Sequence, residues 1–304
     1  MEYILETHNL VKKYKDFKAL NNLNMHLPKG AIYGLIGKNG AGKTTLIRLI
    51  CGLQKPTKGT YLIYGISSDN KRIKNARKRM GAIVETPSIY LDMTAEENLI
   101  QQYKIVGLPN YDNLKEILEL VRLNNTGNKK AKNFSLGMKQ RLGIAIALVG
   151  NPDFLILDEP INGLDPEGII EVRELILRLN QEKGITILIS SHYLDELSKI
   201  ATHYGFLDNG QILKEITNQE LEQNSKKRIQ IKVTNIKECV KLFEENNISY
   251  EVISTDEINV YNNVNISKLA IALSKRNCMI KEFQEKEESL ENYYMNLIGG
   301  GNNV

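Results

Sequence analysis

The sequence contains no tryptophan, only three cysteines, and no apolar run approaching the length of a membrane-spanning helix. A bilayer core requires about 20 consecutive apolar residues, so the chain reads as having no span of its own. Its opening stretch, MEYILETHNLV, lacks the basic n-region and apolar h-region of a secretory signal. Cys51, Cys239 and Cys278 are widely separated and have no metal-ligand spacing. They are expected as reduced thiols of a cytosolic protein, not as a disulfide framework or metal site. Charge is nearly balanced: a net +4 is too small to argue for nucleic acid or an anionic membrane. No internal repeat or low-complexity tract appears, and 304 residues suffice for about two domains.

The most informative segment is GKNGAGKTT, residues 37–45. Gly37, Gly42, Lys43 and Thr44 fit the phosphate-loop pattern G-x-x-x-x-G-K-[ST]. Glycines, Gly40 among them, let the backbone curl so that successive N–H groups converge on phosphates, with Asn39 and Thr45 in the same cradle. The helix that follows adds its positive N-terminus. Lys43 supplies a point charge, and the Thr44 hydroxyl is a Mg²⁺ ligand. The preceding AIYGLI reads as a buried strand and TTLIRLICGL as a helix, the context such a loop requires.

Further apolar runs, GAIVE, FLILDEP and TILISSH, alternate with helical patterns, which predicts a mainly parallel sheet. From about 93 to 150 the pattern is helical and opens with the capping box Thr94-Ala-Glu-Glu97. Asp165-Pro166 reads as N-cap and first-turn proline of the next helix. Residues 217–228 are polar and read as a linker. Beyond them the order strand, helix, strand, strand, helix, strand predicts a small ferredoxin-like α+β domain over 229–304. A last amphipathic helix places Leu290, Tyr293, Tyr294, Leu297 and Ile298 on one face. No catalytic cluster is visible in this domain, which reads as an accessory or dimerisation module. The basic segment KRIKNARKR (71–79) reads as a solvated helix face.

FLILDEP ends an apolar strand in Asp158 and Glu159, placing two carboxylates at the sheet edge where α/β folds bind ligands. Asp158 suits the Mg²⁺ shell and Glu159 a general base toward water. In FSLGMKQRLGIAIAL, Ser135 and Gly137 open a helix whose N-terminus accepts an anion. With AIVET, INGLDP and SSH in order, residues 1–216 resemble the ATP-binding-cassette (ABC) transporter ATPases, a P-loop NTPase fold with a helical subdomain at about 93–150.

The resemblance implies roles position by position. Tyr14 stacks on adenine, and residues 37–45 hold phosphates and Mg²⁺. Ser135 and Gly137 belong to the signature that reaches the ATP of a partner subunit. Asp165 is the aspartate that crosses the dimer interface, and His192 contacts the γ-phosphate. Glu85 occupies the place of a glutamine that contacts Mg²⁺ and water. As a carboxylate it still ligates a hard cation, but it accepts hydrogen bonds only. Leu136 and Met138 also depart from the usual signature, where glycine and glutamine stand. Glu85, with IVETPSIYLDMTAEENL and FSLGMKQRLGIA, is similar to the bacitracin-resistance and lantibiotic-immunity branch.

The resemblance further implies ATP and Mg²⁺ as cofactors and a head-to-tail homodimer or paired ATPase subunit. It implies a separate transmembrane permease docked on the helical insert and residues 85–99, and a peripheral place on the inner face of the cell membrane. The expected function is ATP hydrolysis driving export of a peptide antibiotic or drug, with no nucleic-acid partner. The alternative is a soluble ABC-type ATPase acting on nucleic acid or ribosomes. Against it, the interval of about 90 residues between phosphate loop and signature carries no sustained heptads. A non-hydrolytic regulator conflicts with the intact Lys43, Asp158, Glu159 and His192.

Overall fold

The computed structural model describes residues 2–224, 228–261, 264–286 and 290–299. The chain divides into two compact units, Met1–Asn218 and Gln219–Val304.

The first unit opens with a long hairpin, β1 (Tyr3–Tyr14) and β2 (Phe17–Pro28). Alternation along it buries Leu5, Leu10, Leu20, Leu23, Met25 and Leu27. All five residues of β3 (Ile32–Ile36) are buried, as its apolar run predicts. It feeds the phosphate loop and helix α1 (Lys43–Ile50). Next come β4 (Lys58–Ile63) and β5 (Ile66–Ser67), which complete an antiparallel sheet in the order β2-β1-β4-β5.

Helix α2 (Ile73–Arg77) and β6 (Met80–Ile83) follow. The basic segment around α2 is not simply a solvated face. Arg77 donates to the Ile50 carbonyl at 3.0 Å and to the Tyr61 hydroxyl. Arg79 pairs with Asp153 and stacks on the Tyr64 ring at 3.9 Å. These two arginines join the antiparallel sheet to the rest of the unit.

The helical stretch comprises α3 (Ala95–Val106), α4 (Leu114–Leu120), a 3-10 turn at Ala131–Asn133 and α5 (Leu136–Leu148). The capping box is formed: Thr94 Oγ1 accepts from the Glu97 amide at 3.1 Å, and Glu97 Oε2 accepts from the Thr94 amide at 2.7 Å. Then β7 (Phe154–Asp158), α6 (Pro166–Gln181), β8 (Thr186–Ser191), α7 (Leu194–Ser198), β9 (His203–Asp208) and β10 (Gln211–Thr217) alternate. The second sheet runs β10-β9-β3-β8-β7-β6. Its last five strands are parallel, and β10 is antiparallel to β9. The C-terminal ends of β3, β7 and β8 therefore share one edge, the ligand edge of an open α/β sheet.

The stretch 217–228, which reads as a linker, instead holds helix α8 (Asn218–Asn224), anchored by buried Leu221. The second unit contains β11 (Arg228–Val233), α9 (Ile236–Glu245), β12 (Tyr250–Val252), β13 (Glu257–Val260), α10 (Ile266–Ser274), β14 (Ile280–Lys286) and α11 (Leu290–Gly299). Its sheet is antiparallel in the order β12-β13-β11-β14. Ile231, Ile258 and Val260 share one face and form a core with Leu242, Phe243, Leu269 and Leu273. On α11, Leu290 and Tyr294 are buried while Met295 faces outward. Among the described residues no helix is long and apolar enough to cross a membrane.

Candidate active site

The phosphate loop is held from two sides. The Ala41 carbonyl accepts from the Gly210 amide at 3.0 Å, and the Gly210 carbonyl accepts from Asn21 at 2.9 Å. Gly42 has φ +116° and lies against β2, so that a Cβ there would stand 2.6 Å from the Ala19 carbonyl oxygen. Glycine is thus required for both its conformation and its size. The loop ends at the N-terminus of α1, whose first turn carries no acidic residue. Partial positive charge at that end is left uncancelled.

A cavity of about 450 Å³ opens over this loop. It is lined by Tyr14, Phe17, Ala19, Lys38, Asn39, Gly40, Gly42, Lys43, Thr44, Thr45, Glu159, Asn162 and His192. Nine of the residues expected at the nucleotide thus converge. Tyr14 stands at the rim, its hydroxyl donating to Gln54, with Lys12 Nζ 5.1 Å from its ring centroid.

At the floor the Lys43 side chain is 6% exposed. Its Nζ donates to the Gly37 carbonyl at 2.6 Å and lies 3.4 Å from Glu159 Oε1. The other oxygen of Glu159, Oε2, is 2.7 Å from His192 Nδ1. An ionised carboxylate only accepts, so Nδ1 carries the hydrogen and Nε2 is left for another partner. Glu159 therefore links Lys43 and His192. It sits at φ +49°, a left-handed conformation for a non-glycine residue, stabilised by its amide bonding to Ser190 O at 3.1 Å and Ser190 Oγ at 2.9 Å.

Ser190 also donates from Oγ to Asp158 Oδ1 at 2.5 Å. Asp158 is 2% exposed and is not among the residues that line the cavity. Sequence reasoning passed over Ser190, although the SSH stretch that contains it was singled out. Asn162 and Phe17 were missed as well. Asn162 adjoins the Gly163–Asp165 turn, and Phe17 is one bend from Tyr14.

Glu85 does not line the cavity. It has φ +64° and its carboxylate pairs with Arg48 in the last turn of α1. Ser135, Gly137 and Asp165 are also absent from the lining. They cap two other helices: Ser135 Oγ accepts from the Met138 amide at 3.2 Å, and Asp165 Oδ1 from the Gly168 amide at 3.1 Å. The two caps are neighbours, because a Cβ on Gly137 would lie 3.4 Å from the Gly168 Cα. Leu136 is 53% exposed, and a Cβ on Gly163 would stand 3.4 Å from its Cδ2.

A sequence model described as ABC transporter matches residues 20–162. The bacitracin transport ATP-binding protein BcrA of Bacillus licheniformis is 42% identical over 304 residues, covering 99% of this chain and 99% of that protein. The chain belongs to the ABC transporter family. It is an ATP-binding subunit of an ABC transporter and an ATPase, and its first unit has the P-loop NTPase fold with mixed α/β sheets. The lantibiotic transport ATP-binding protein SrtF of Streptococcus pyogenes is 42% identical over 212 residues, covering 70% of this cassette protein and 90% of SrtF. A dimeric structure of the ATP-binding cassette MJ0796, in a post-hydrolysis state with ADP and Pi, is 25% identical. It gives a TM-score of 0.63 over 70% of this chain and 98% of that one.

Proposed function

We propose that this ABC subunit hydrolyses ATP to drive a permease that exports a bacitracin-like peptide antibiotic. The observation that carries the cargo reading is the extent of the likeness to BcrA, which runs through both units of the chain. That to SrtF spans 212 residues.

Tyr14 is assigned to the adenine ring, and residues 37–45 to the phosphates. Thr44 and Asp158 offer a hydroxyl and a buried carboxylate, hard oxygen donors that fit Mg²⁺ and no soft metal. Glu85 is assigned as a further oxygen donor to it. When bound, that ion neutralises charge on the β- and γ-phosphate oxygens. Lys43 exchanges the Gly37 carbonyl for phosphate. Glu159 accepts the proton of the attacking water, and His192 orients Glu159 through Nδ1 while Nε2 addresses the γ-phosphate. Ser135, Gly137 and Asp165 serve the ATP of a second copy, across a head-to-tail dimer that buries two nucleotides.

Residues 1–216 are the cassette, with 93–150 its helical subdomain. Residues 85–99 and that subdomain dock the permease, which places the chain peripherally on the inner membrane face. In the second unit, strand order β12-β13-β11-β14 with α9 and α10 packed on one sheet face supports a ferredoxin-like domain over 229–304. The test is growth of a bacitracin-sensitive strain carrying this chain with its permease. Raised resistance, abolished by Glu159→Gln, is expected; sensitivity equal to the empty strain contradicts the cargo reading.

A further inference from the structure

Glu85 leaves the sheet near the phosphate cavity, but its carboxylate is held outside it. Ile83, two residues earlier, pairs with Leu157 at the end of β6, so the Glu85 backbone leaves the sheet beside Asp158 and Glu159. Adjacent strands are about 4.8 Å apart. The carboxylate nonetheless turns away, to the Arg48 guanidinium. Arg48 stands in the last turn of α1, where a cation also offsets the helix dipole. Glu85 is 57% exposed and held in a left-handed backbone conformation, φ +64°.

Resting on the site assignment above, we infer that Arg48 is a positioning residue: it parks the Glu85 carboxylate outside the phosphate cavity until nucleotide and its divalent cation take that carboxylate over. Arg48 belongs to the same helix that begins at Lys43. Its carbonyl accepts from the amides of Leu53 at 2.9 Å and Gln54 at 3.3 Å. Gln54 in turn accepts from the Tyr14 hydroxyl. The parked carboxylate is thereby tied to the helix and rim that shape both ends of the nucleotide cavity. The exchange consists of one ion pair broken and one oxygen–cation contact made, with no proton transferred.

The test is equilibrium binding of a non-hydrolysable fluorescent ATP analogue titrated with Mg²⁺, so that turnover does not enter. Wild type, Arg48→Met, Arg48→Lys, Glu85→Gln and the double variant Arg48→Met/Glu85→Gln are compared. A partly exposed ion pair sets the scale: Arg48→Met should lower the Mg²⁺ needed for half-maximal binding about twofold to fivefold. Arg48→Lys keeps the charge and should remain near wild type. In the Glu85→Gln background the Arg48→Met change should have no effect. Hydrogen exchange over residues 84–89 of the nucleotide-free chain should rise in Arg48→Met and in Glu85→Gln alike. An equal shift in both backgrounds, or none in either, overturns the inference alone. Nucleotide binding that ignores Mg²⁺ in the wild-type chain overturns the metal assignment beneath it.

Discussion

Gly42→Ala and Gly40→Ala separate two ways in which the phosphate loop depends on glycine. Both residues have positive φ, +116° at Gly42 and +84° at Gly40. A Cβ at position 40 meets nothing within 4 Å, so the substitution carries backbone strain only, about 1–2 kcal/mol. At position 42 a Cβ stands 2.6 Å from the Ala19 carbonyl oxygen and 2.8 Å from Leu20 Cδ2. Carbon contacts are comfortable near 3.5 Å, so β2 or the loop must shift by most of an ångström, adding overpacking of about 1–3 kcal/mol. The total of about 2–5 kcal/mol is a large part of the 5–15 kcal/mol typical of a folded domain. With roughly 2–4 °C lost per kcal/mol at this size, Gly42→Ala should melt about 4–20 °C lower and Gly40→Ala about 2–8 °C lower. A loop displaced by close to 1 Å should also bind nucleotide more weakly than that of Gly40→Ala, because its backbone N–H groups no longer converge on the phosphates. Differential scanning fluorimetry and equilibrium binding of a fluorescent ATP analogue measure the two effects. Equal melting temperatures and affinities for the two variants would refute the close approach of β2 to the loop.

Glu159→Gln should retain ATP while releasing phosphate at least about 100-fold more slowly, followed in a phosphate-release assay; near-normal turnover would remove Glu159 from the role of base. Thr94→Ala removes the cap of α3 and should cost about 1 kcal/mol in urea unfolding. The Thr94 amide, and then Lys130, hold the Glu97 carboxyl below its ordinary range. A lowered acid stabilises above its unfolded pKa and loses that contribution as pH falls through the folded one, so the wild-type advantage over a Glu97→Gln variant should shrink in acid; a gap that widens there contradicts the reciprocal cap. Burial pushes the Cys51 and Cys239 thiols up to about 12, which favours the unreactive neutral form. Peptide mapping at pH 8 should find both alkylated at least about 100-fold more slowly in the native than in the unfolded chain, and rapid native labelling contradicts that burial.

The elements that sequence reasoning located are those whose causes are local. Gly42 announces a left-handed turn, Thr94 and Glu97 close a capping box three residues apart, and Asp165-Pro166 starts α6, each within one turn of chain. The seven elements of the second unit from β11 to α11 follow from the same kind of short-range pattern. What escaped is set by partners far away in sequence. Arg79 looks solvated until Asp153 is beside it, Ser190 gains its role from Asp158, and Glu85 turns to Arg48. In 217–228 the polar composition conceals a helix whose anchor is one leucine, Leu221. A single apolar residue gives no periodicity to read.

The shared-site mechanism is tested most directly by cross-linking. Ser135 caps α5 and does not line the cavity over residues 37–45, so the mechanism requires a second copy to bring the two together. A chain carrying Asn39→Cys, Ser135→Cys and Glu159→Gln is treated with a short bis-maleimide, with and without Mg²⁺-ATP. A band of two chains joined through positions 39 and 135, formed only with Mg²⁺-ATP, is the expected result. Cross-links confined to single chains, or a dimer band indifferent to ATP, would contradict it.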